Sequence, residues 1–373
     1  MRVNRDDKYI YIFIGTEAEL IKLFPIILLL KKNNISYKII SSGQNDILNS
    51  NILKIVNDGK VDIILSDSKK IKKSVYGLLS WFIKTYLKSI KILKKSENLK
   101  ESILILHGDT VSTVMGALLG NKFKMNIAHV EAGYRSYDFF NPFPEEIDRV
   151  LTSKYARLHF APSQLAYDNL KKIKGQKYNT QYNTIIDSMR YSNNINIQPD
   201  VIKRISNNKY FVFIMHRQEN LANKELVKSV INKIMEISIN IKCVFILHEP
   251  TEIKLKNYNL LRLLKENNSI ITTPRLEYFE FMKLIEKSEF VITDGGSNQQ
   301  ELFYMGKPCL ILRKKTEQSE GIGGNAILYN KNINMIKEFS LNYYNYKSAG
   351  ADSSISPSEM IVNILQENIF IEQ

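Results

Sequence analysis

Three short stretches in the first half of the chain put carboxylates where an apolar run ends. His107-Gly108-Asp109-Thr110 follows residues 102–106, and His129-Val130-Glu131-Ala132-Gly133-Tyr134-Arg135 closes residues 126–130. Asn141-Pro142-Phe143-Pro144-Glu145-Glu146 then leads to Arg149. Gly108 allows a tight turn, after which Asp109 either projects outward or caps the next helix. Glu131, beside glycine and near arginine at a strand end, is poorly explained as a surface charge. Glu145 falls at a helix start, where a negative charge is favoured in any case. Read singly, these are caps or solvated charges. Several carboxylates directed to one cleft are what proton abstraction and donation at carbon require, one acting as base and another as acid.

The second half offers groups suited to an anion. His216 and Arg217 follow the apolar run 210–215, where a structural histidine is the alternative reading. Thr293-Asp294-Gly295-Gly296-Ser297-Asn298-Gln299-Gln300-Glu301 reads as a glycine turn opening a helix. Its free backbone N–H groups and the helix dipole can hold a diphosphate. A glycine-rich turn is weak by itself. Its weight comes from Glu301, about two turns after Asp294, which could accept from ribose hydroxyls. No P-loop, metal-ligand cluster or Ser-His-Asp arrangement is present, so neither a metal nor a cofactor is required.

The elements that must position these residues alternate strand, turn and helix. Apolar runs at 9–15, 36–40, 61–65, 102–106, 126–130 and 158–161 are separated by helical patterns, notably 17–32 and 112–119. The pattern turns polar over 183–198, then restarts with strands at 210–215, 243–247, 270–272, 290–293 and 308–312 and helices at 224–237 and 279–287. Near-continuous apolar strands between helices indicate α/β architecture with parallel sheets covered on both faces. The expectation is two Rossmann-like, doubly wound domains facing a central cleft, with ligands beyond the strands' carboxyl ends. The boundaries fall at 1–185 and 186–350, and 351–373 forms a C-terminal helix packing back near the junction. At 373 residues, two domains are also the default on length.

Composition narrows the setting. An apolar fraction of 44% suffices for packed cores. The two cysteines, Cys243 and Cys309, lie in separate strand-like runs and read as lone buried thiols of a reducing compartment. Residues 1–7 mix charges without the apolar core of a secretory signal, and no apolar run is long enough to span a bilayer. A cytoplasmic location is expected. The net charge of +14 points to an anionic partner. Nucleic acid is not expected, since no nucleic-acid module is recognisable. Residues 69–95 hold nine lysines and no acid, with Val75, Leu78, Leu79, Phe82, Tyr86, Ile90 and Leu93 at helical spacing. This reads as an amphipathic helix on the first sheet, or as one that touches anionic lipid through Trp81 and its lysines.

Taken together, these residues resemble the non-hydrolysing UDP-N-acetylglucosamine 2-epimerase family, over nearly the whole chain. The resemblance rests on Gly15-Thr16 with Glu19, Lys22 and Pro25, on His107-Gly108-Asp109-Thr110, and on His129 through Ser136. Pro144-Glu145-Glu146 with Arg149, Asn183-Thr184-Ile185-Ile186-Asp187, His216-Arg217, the 293–301 loop, Gly306-Lys307-Pro308, and Arg313 with Thr316-Glu317 follow in order. It implies a GT-B fold, a homodimer, and isomerase chemistry on a UDP-2-acetamido sugar supplying surface polysaccharide such as capsule in a bacterium. In that chemistry the C2 proton is removed as UDP leaves C1, giving a 2-acetamidoglucal, and UDP re-adds with protonation from the other face. Carried over, Asp109, Glu131 and Glu145 are the acid–base carboxylates, and His216 assists the diphosphate or a proton transfer. Lys22, Arg217 and the Gly295-Gly296-Ser297 turn hold phosphates, Glu301 the ribose, and Arg313 the sugar side. Gly15, Arg135, Arg149 and Asp294 complete the substrate-binding set.

The chain departs from the family pattern at Glu17-Ala18, where Arg-Pro is usual, and at Gln300, which replaces a carboxylate. Tyr182 stands where glycine is usual, and Gln44-Asn45 replaces a Gln-His pair. The alternatives are a hydrolysing relative and a glycosyltransferase of the same fold, for which the basic helix would suit a lipid-linked acceptor. A non-catalytic binding protein fits the intact carboxylates poorly.

Overall fold

The computed structural model describes residues 9–67, 75–96, 98–139, 143–205, 208–314, 320–352 and 354–370. The N-terminal residues 1–7, the first part of the lysine-rich segment (68–74), Asn141-Pro142 and Thr316-Glu317 lie outside the described residues, as does the side chain of Ser297.

The chain divides into two compact units, residues 1–188 with 354–373, and residues 189–353. The strands of the first are β1 (Ile10–Ile14), β2 (Tyr37–Ser41), β3 (Ile63–Ile64), β4 (Ile103–His107), β5 (Asn126–Val130), β6 (Leu158–Ala161) and β7 (Gln176–Asn179). They form one parallel sheet in the order β3-β2-β1-β4-β5-β6-β7. Its helices are α1 (Glu17–Lys32), α2 (Asn51–Asn57), α3 (Val75–Leu93), α4 (Val111–Lys122), α5 (Glu145–Tyr155) and α6 (Gln164–Asn169). Helix α7 (Ile185–Asn194) carries the chain into the second unit.

The second unit repeats the plan. Its strands β8 (Tyr210–Ile214), β9 (Lys242–Leu247), β10 (Ile270–Pro274), β11 (Val291–Thr293), β12 (Cys309–Ile311) and β13 (Ala326–Leu328) run parallel in the order β10-β9-β8-β11-β12-β13. The helices are α8 (Asp200–Ile205), α9 (Gln218–Leu221), α10 (Lys224–Ser238), α11 (Glu249–Asn257), α12 (Leu261–Glu266), α13 (Tyr278–Lys287), α14 (Gly296–Met305) and α15 (Asn334–Asn342). Helix α16 (Pro357–Phe370) returns to the first unit and packs on α1.

The central strands are buried end to end because both faces are covered. Ile-Tyr-Ile-Phe-Ile in β1 and Tyr-Phe-Val-Phe-Ile in β8 are apolar at every position, as such strands must be. In both units the strand order reverses beside the first strand, between β1 and β4 and between β8 and β11. That is where an open α/β sheet leaves a crevice at its carboxyl edge.

Three local features depart from the sequence reading. The polar stretch 183–198 contains α7, because Ile185, Ile186 and Met189 are buried while the asparagines gather at its far end. The edge strands β7 and β13 carry too short or too polar a signal to be read. Trp81, read as a residue for a lipid interface, is buried in the first core and its Nε1–H donates to Ser66 Oγ (3.2 Å). Both cysteines are buried and free.

Candidate active site

In the first unit, the β1–α1 and β4–α4 turns meet through one buried carboxylate. Glu19 Oε2 accepts from the Gly15 N–H (2.5 Å) and the Thr16 N–H (3.2 Å), and Thr110 Oγ1–H donates to Glu19 Oε1 (2.6 Å). Thr16 and Thr110 also cap α1 and α4. Burial raises the Glu19 carboxyl above its ordinary range despite these donors. Only glycine fits at position 15, since an added Cβ would fall 2.2 Å from Ser112 Cβ. Gln44 stitches the neighbouring turn down by accepting from the Ser112 hydroxyl (2.5 Å).

Glu131 follows β5 with a φ of 62°, a left-handed conformation that costs a non-glycine residue about 1 kcal/mol or more. The turn aims its carboxylate at three groups. Lys22 Nζ and Asn183 Nδ2 each donate to Oε2 at 2.5 Å, and His107 Nε2 lies 3.0 Å from the same oxygen. Burial favours the neutral acid, but Lys22 and His107 outweigh it and hold Glu131 ionised, well below the ordinary carboxylate range. His129 lies under the same turns. Burial lowers it to about 3, so it is neutral, and its Nε2–H donates to Gly108 O (2.8 Å).

A second group forms around Arg149 on α5. Its Nη2 and Nε lie 2.7 and 2.8 Å from Asp109 Oδ2, and its Nη1 lies 3.5 Å from Glu146 Oε2. Glu146 is fully buried, and it also accepts from Arg135 Nε (2.5 Å) and the Ser136 N–H (2.9 Å). Burial opposes its ionisation, but the Ser136 N–H, Arg135 and Arg149 prevail and keep it charged. Glu145 stands one turn before Arg149, with a buried Oε2 that meets no hydrogen-bond partner among the described residues. Asp148 shares that condition at Oδ2. Burial, with the negative charges of Asp109 and Glu145, pushes Asp148 up to about 8.

The second unit holds a separate constellation around the amino end of α14. Asp294, fully buried after β11, accepts from the backbone N–H groups of His216 (3.0 Å) and Arg217 (3.0 Å) and from Asn220 Nδ2 (3.0 Å). It therefore fixes the turn after β8, and His216 Nδ1 lies 3.3 Å from its Oδ1. The His216 ring stacks on His248 at 4.7 Å. Burial, aided by His216 and Arg275, lowers His248 to about 4. A Cβ at position 295 would fall 2.7 Å from Asn298 Oδ1 and 3.0 Å from His216 Cε1, and one at 296 would lie 3.6 Å from Arg313 Nη1. An imidazole and a guanidinium thus flank the amino end of α14, which suits a phosphate. Arg217 Nη1 pairs with Glu219 (2.8 Å). Glu301 is nearly buried and accepts from Asn298 Nδ2 (3.3 Å). Gln300, the departure noted above, is buried with its Nε2 3.4 Å from Glu320 Oε1.

The first unit therefore brings Gly15, Lys22, Asp109, Glu131, Arg135, Glu145 and Arg149 to one sheet edge. The second gathers His216, Arg217, Asp294, Gly295, Gly296, Glu301 and Arg313. The sequence reading passed over Glu19, Asp148 and His248 as functional residues. His248 directly follows β9, the strand-end signal that identified His216.

The profile of the UDP-N-acetylglucosamine 2-epimerase family matches residues 29–347. The UDP-N-acetylglucosamine 2-epimerase of Methanocaldococcus jannaschii is 34% identical over 340 residues, covering 87% of this chain and 90% of that protein. The crystal structure of that organism's enzyme in complex with UDP-GlcNAc and UDP is similar at a TM-score of 0.75 and 32% identity, over 96% of this chain and 99% of that one. The Neisseria meningitidis UDP-GlcNAc 2-epimerase bound to UDP-GlcNAc has a TM-score of 0.77 and 27% identity, over 97% of this chain and all of that one. The fold is α/β of GT-B type, built on two Rossmann-like sheets.

Proposed function

The chain belongs to the UDP-N-acetylglucosamine 2-epimerase family of isomerases, and on that premise we propose that it interconverts UDP-GlcNAc and UDP-ManNAc, or a related UDP-2-acetamido sugar pair. The observation that carries the reading is the opposed charge state of the carboxyls at one sheet edge. Glu131 is held ionised, as a base must be, while Asp148, beside Asp109 and Glu145, is held protonated, so one edge keeps carboxyls in both charge states. Removal of the C2 proton by one group, departure of UDP to a 2-acetamidoglucal, and protonation of C2 from the other face would invert that carbon. A diphosphate that drew Lys22 away from Glu131 would also raise the basicity of that carboxylate.

For the nucleotide, the amino end of α14 supplies N–H groups for the diphosphate, assisted by His216, Arg217 and Arg313. Glu301 is the acceptor for ribose hydroxyls. Asp294 serves by fixing the His216 turn, and Arg135 and Arg149 by setting the positions of Glu146 and Asp109. The domain roles follow: acid–base chemistry in the first unit and UDP binding in the second. We place the enzyme in the cytoplasm as a homodimer that supplies precursor for a bacterial surface polysaccharide or capsule. A peripheral contact with anionic membrane through residues 69–95 is supported by α3, whose outward side carries exposed Tyr76, Leu79, Ile83 and Leu87 beside Lys84, Lys88 and Lys91. No described helix is long and apolar enough to cross a membrane.

Incubation with UDP-GlcNAc in heavy water, followed by proton NMR, tests the central reading. The expected result is loss of the H2 signal through deuterium uptake, with a second sugar nucleotide of inverted C2. Free UDP accumulating in step with turnover would indicate the hydrolysing variant. Transfer of sugar to an acceptor without C2 exchange would overturn the proposal.

A further inference from the structure

We propose that Asp148 is a positioning residue of the acid–base site: it keeps its proton beside Asp109 and Glu145, and its ionisation sets the alkaline limit of the reaction. The inference deepens the reading of this site as an epimerase centre and rests on it.

The geometry begins with α5. Glu145 and Asp148 are three residues apart on that helix and so share a face, and Arg149 reaches from the next position to Asp109. The Arg149 guanidinium is taken up by Asp109 and Glu146, Arg135 is already engaged by Glu146, and Asp148 feels the charges of Asp109 and Glu145 as well as that of Arg149. The cation supply does not match three negative charges. Asp148 is the member that water reaches least, at 6% exposure, and its Oδ2 meets no hydrogen-bond donor among the described residues. Leaving a carboxylate buried without a donor is costly, and retaining a proton removes that cost.

An acid in the first turn of a helix has an ordinary explanation, attraction to the helix dipole. That explanation suits an exposed, ionised group, and Asp148 is neither. The charged groups that face it are Asp109 from the β4–α4 turn and Glu145 and Arg149 from its own helix. Helix α4, packed on α5, has no acid and carries only the exposed Lys122. Strand β5 brings His129, which stays neutral. Nothing in these elements supplies a cation to Asp148 beyond Arg149.

The consequence is directional. While Asp148 is protonated, Arg149 is shared by Asp109 and Glu146 alone, and Asp109 keeps its geometry. Once Asp148 ionises, near pH 8, a third negative charge competes for Arg149 and repels Asp109 and Glu145. Proton return to C2 should then weaken as pH rises through that range.

The test uses the full-length enzyme and the Asp148→Asn variant, which holds the same shape but cannot ionise. C2 exchange is followed from pH 6 to pH 10. The ratio of kcat at pH 9.5 to that at pH 7 should be at least about threefold higher in the variant than in the unaltered enzyme, because an alkaline titration is removed. An identical alkaline limb in a folded variant overturns the proposal, since a merely structural role would not move the profile with pH. Should the variant not fold, infrared spectra of unaltered protein labelled with 13C-carboxyl aspartate decide the matter. An isotope-shifted band of a protonated carboxyl is expected at pH 7 and its loss by pH 9.5, and absence of that band at pH 7 sinks the idea. Failure of the epimerase reading is separately visible as absence of C2 exchange in unaltered enzyme at pH 7, and the infrared result is independent of turnover.

Discussion

Glu131 shows how much one side chain can depend on its surroundings. Its backbone is held left-handed at the end of β5, and one carboxylate oxygen collects an ammonium, an amide and an imidazole from three separate parts of the first unit. Glu131→Gln keeps the shape but removes the charge and turns the site's base into a neutral group. C2 exchange should fall by about 10²–10⁴-fold or more, the range for losing a positioned acid or base. UDP affinity, measured by calorimetry, should stay within about threefold, because the diphosphate constellation of His216, Gly295, Gly296 and Arg313 is assembled from other residues. Exchange surviving in Glu131→Gln would remove this residue from the chemistry. Asp109, Glu131 and His216 were legible in the sequence because each stands within three residues of the end of an apolar run. Asp148 was not, since a first-turn acid on a helix is ordinary until its burial beside Asp109 is seen. Nor was the division of labour at Asp294, whose position at the glycine turn suggested a ligand contact. Its carboxylate is spent on the N–H groups of His216 and Arg217.

At the scale of elements, the strand–helix alternation was readable because buried parallel strands carry uninterrupted apolar runs. It faded at β7, whose Gln-Lys-Tyr-Asn is an edge strand with little to bury, and at α7, whose three buried apolar positions are outnumbered by polar residues. Helix α3 was half legible. Its inner side is core, with Trp81, Leu78, Phe82, Tyr86, Ile90 and Leu93 turned to the first sheet. Its outer side presents Tyr76, Leu79, Ile83 and Leu87 at intervals of three and four residues, beside lysines and without an acid. Exposed apolar groups in such a row are worth covering, and the lysine rim favours an anionic lipid surface over a second lysine-rich helix. The double variant Leu79→Asp, Ile83→Asp should therefore lose binding to vesicles containing anionic lipid at low salt. Its molar mass by light scattering should not change. Dissociation of a dimer, with vesicle binding unaffected, would assign the face to a second copy of the chain instead.

At the scale of the whole molecule, sequence order and structural membership part company at the C-terminus. Residues 354–370 follow the second unit in the chain yet belong to the first, where α16 lies on α1. Ile361, Val362 and Leu365 are buried there, and Asp187 Oδ2 accepts from the Ser358 N–H (2.9 Å) and lies 3.1 Å from Ser356 Oγ. Burial of each of those three side chains contributes about 1.5–3 kcal/mol. Their sum is comparable with the roughly 5–15 kcal/mol that stabilises an ordinary domain. The second unit has its own core, in which Phe211, Phe213, Phe245 and Phe290 are fully buried and which includes no α16 residue among the described ones. Ending the chain at residue 353 should therefore act selectively. Amide hydrogen exchange should show protection lost in β1 and β4 and largely retained in β8 and β11. C2 exchange should fail with it, since Lys22 stands on the helix that α16 covers and Glu131 depends on Lys22. Uniform loss of protection in both sheets, or none in either, would show that α16 is not the brace of the first unit alone.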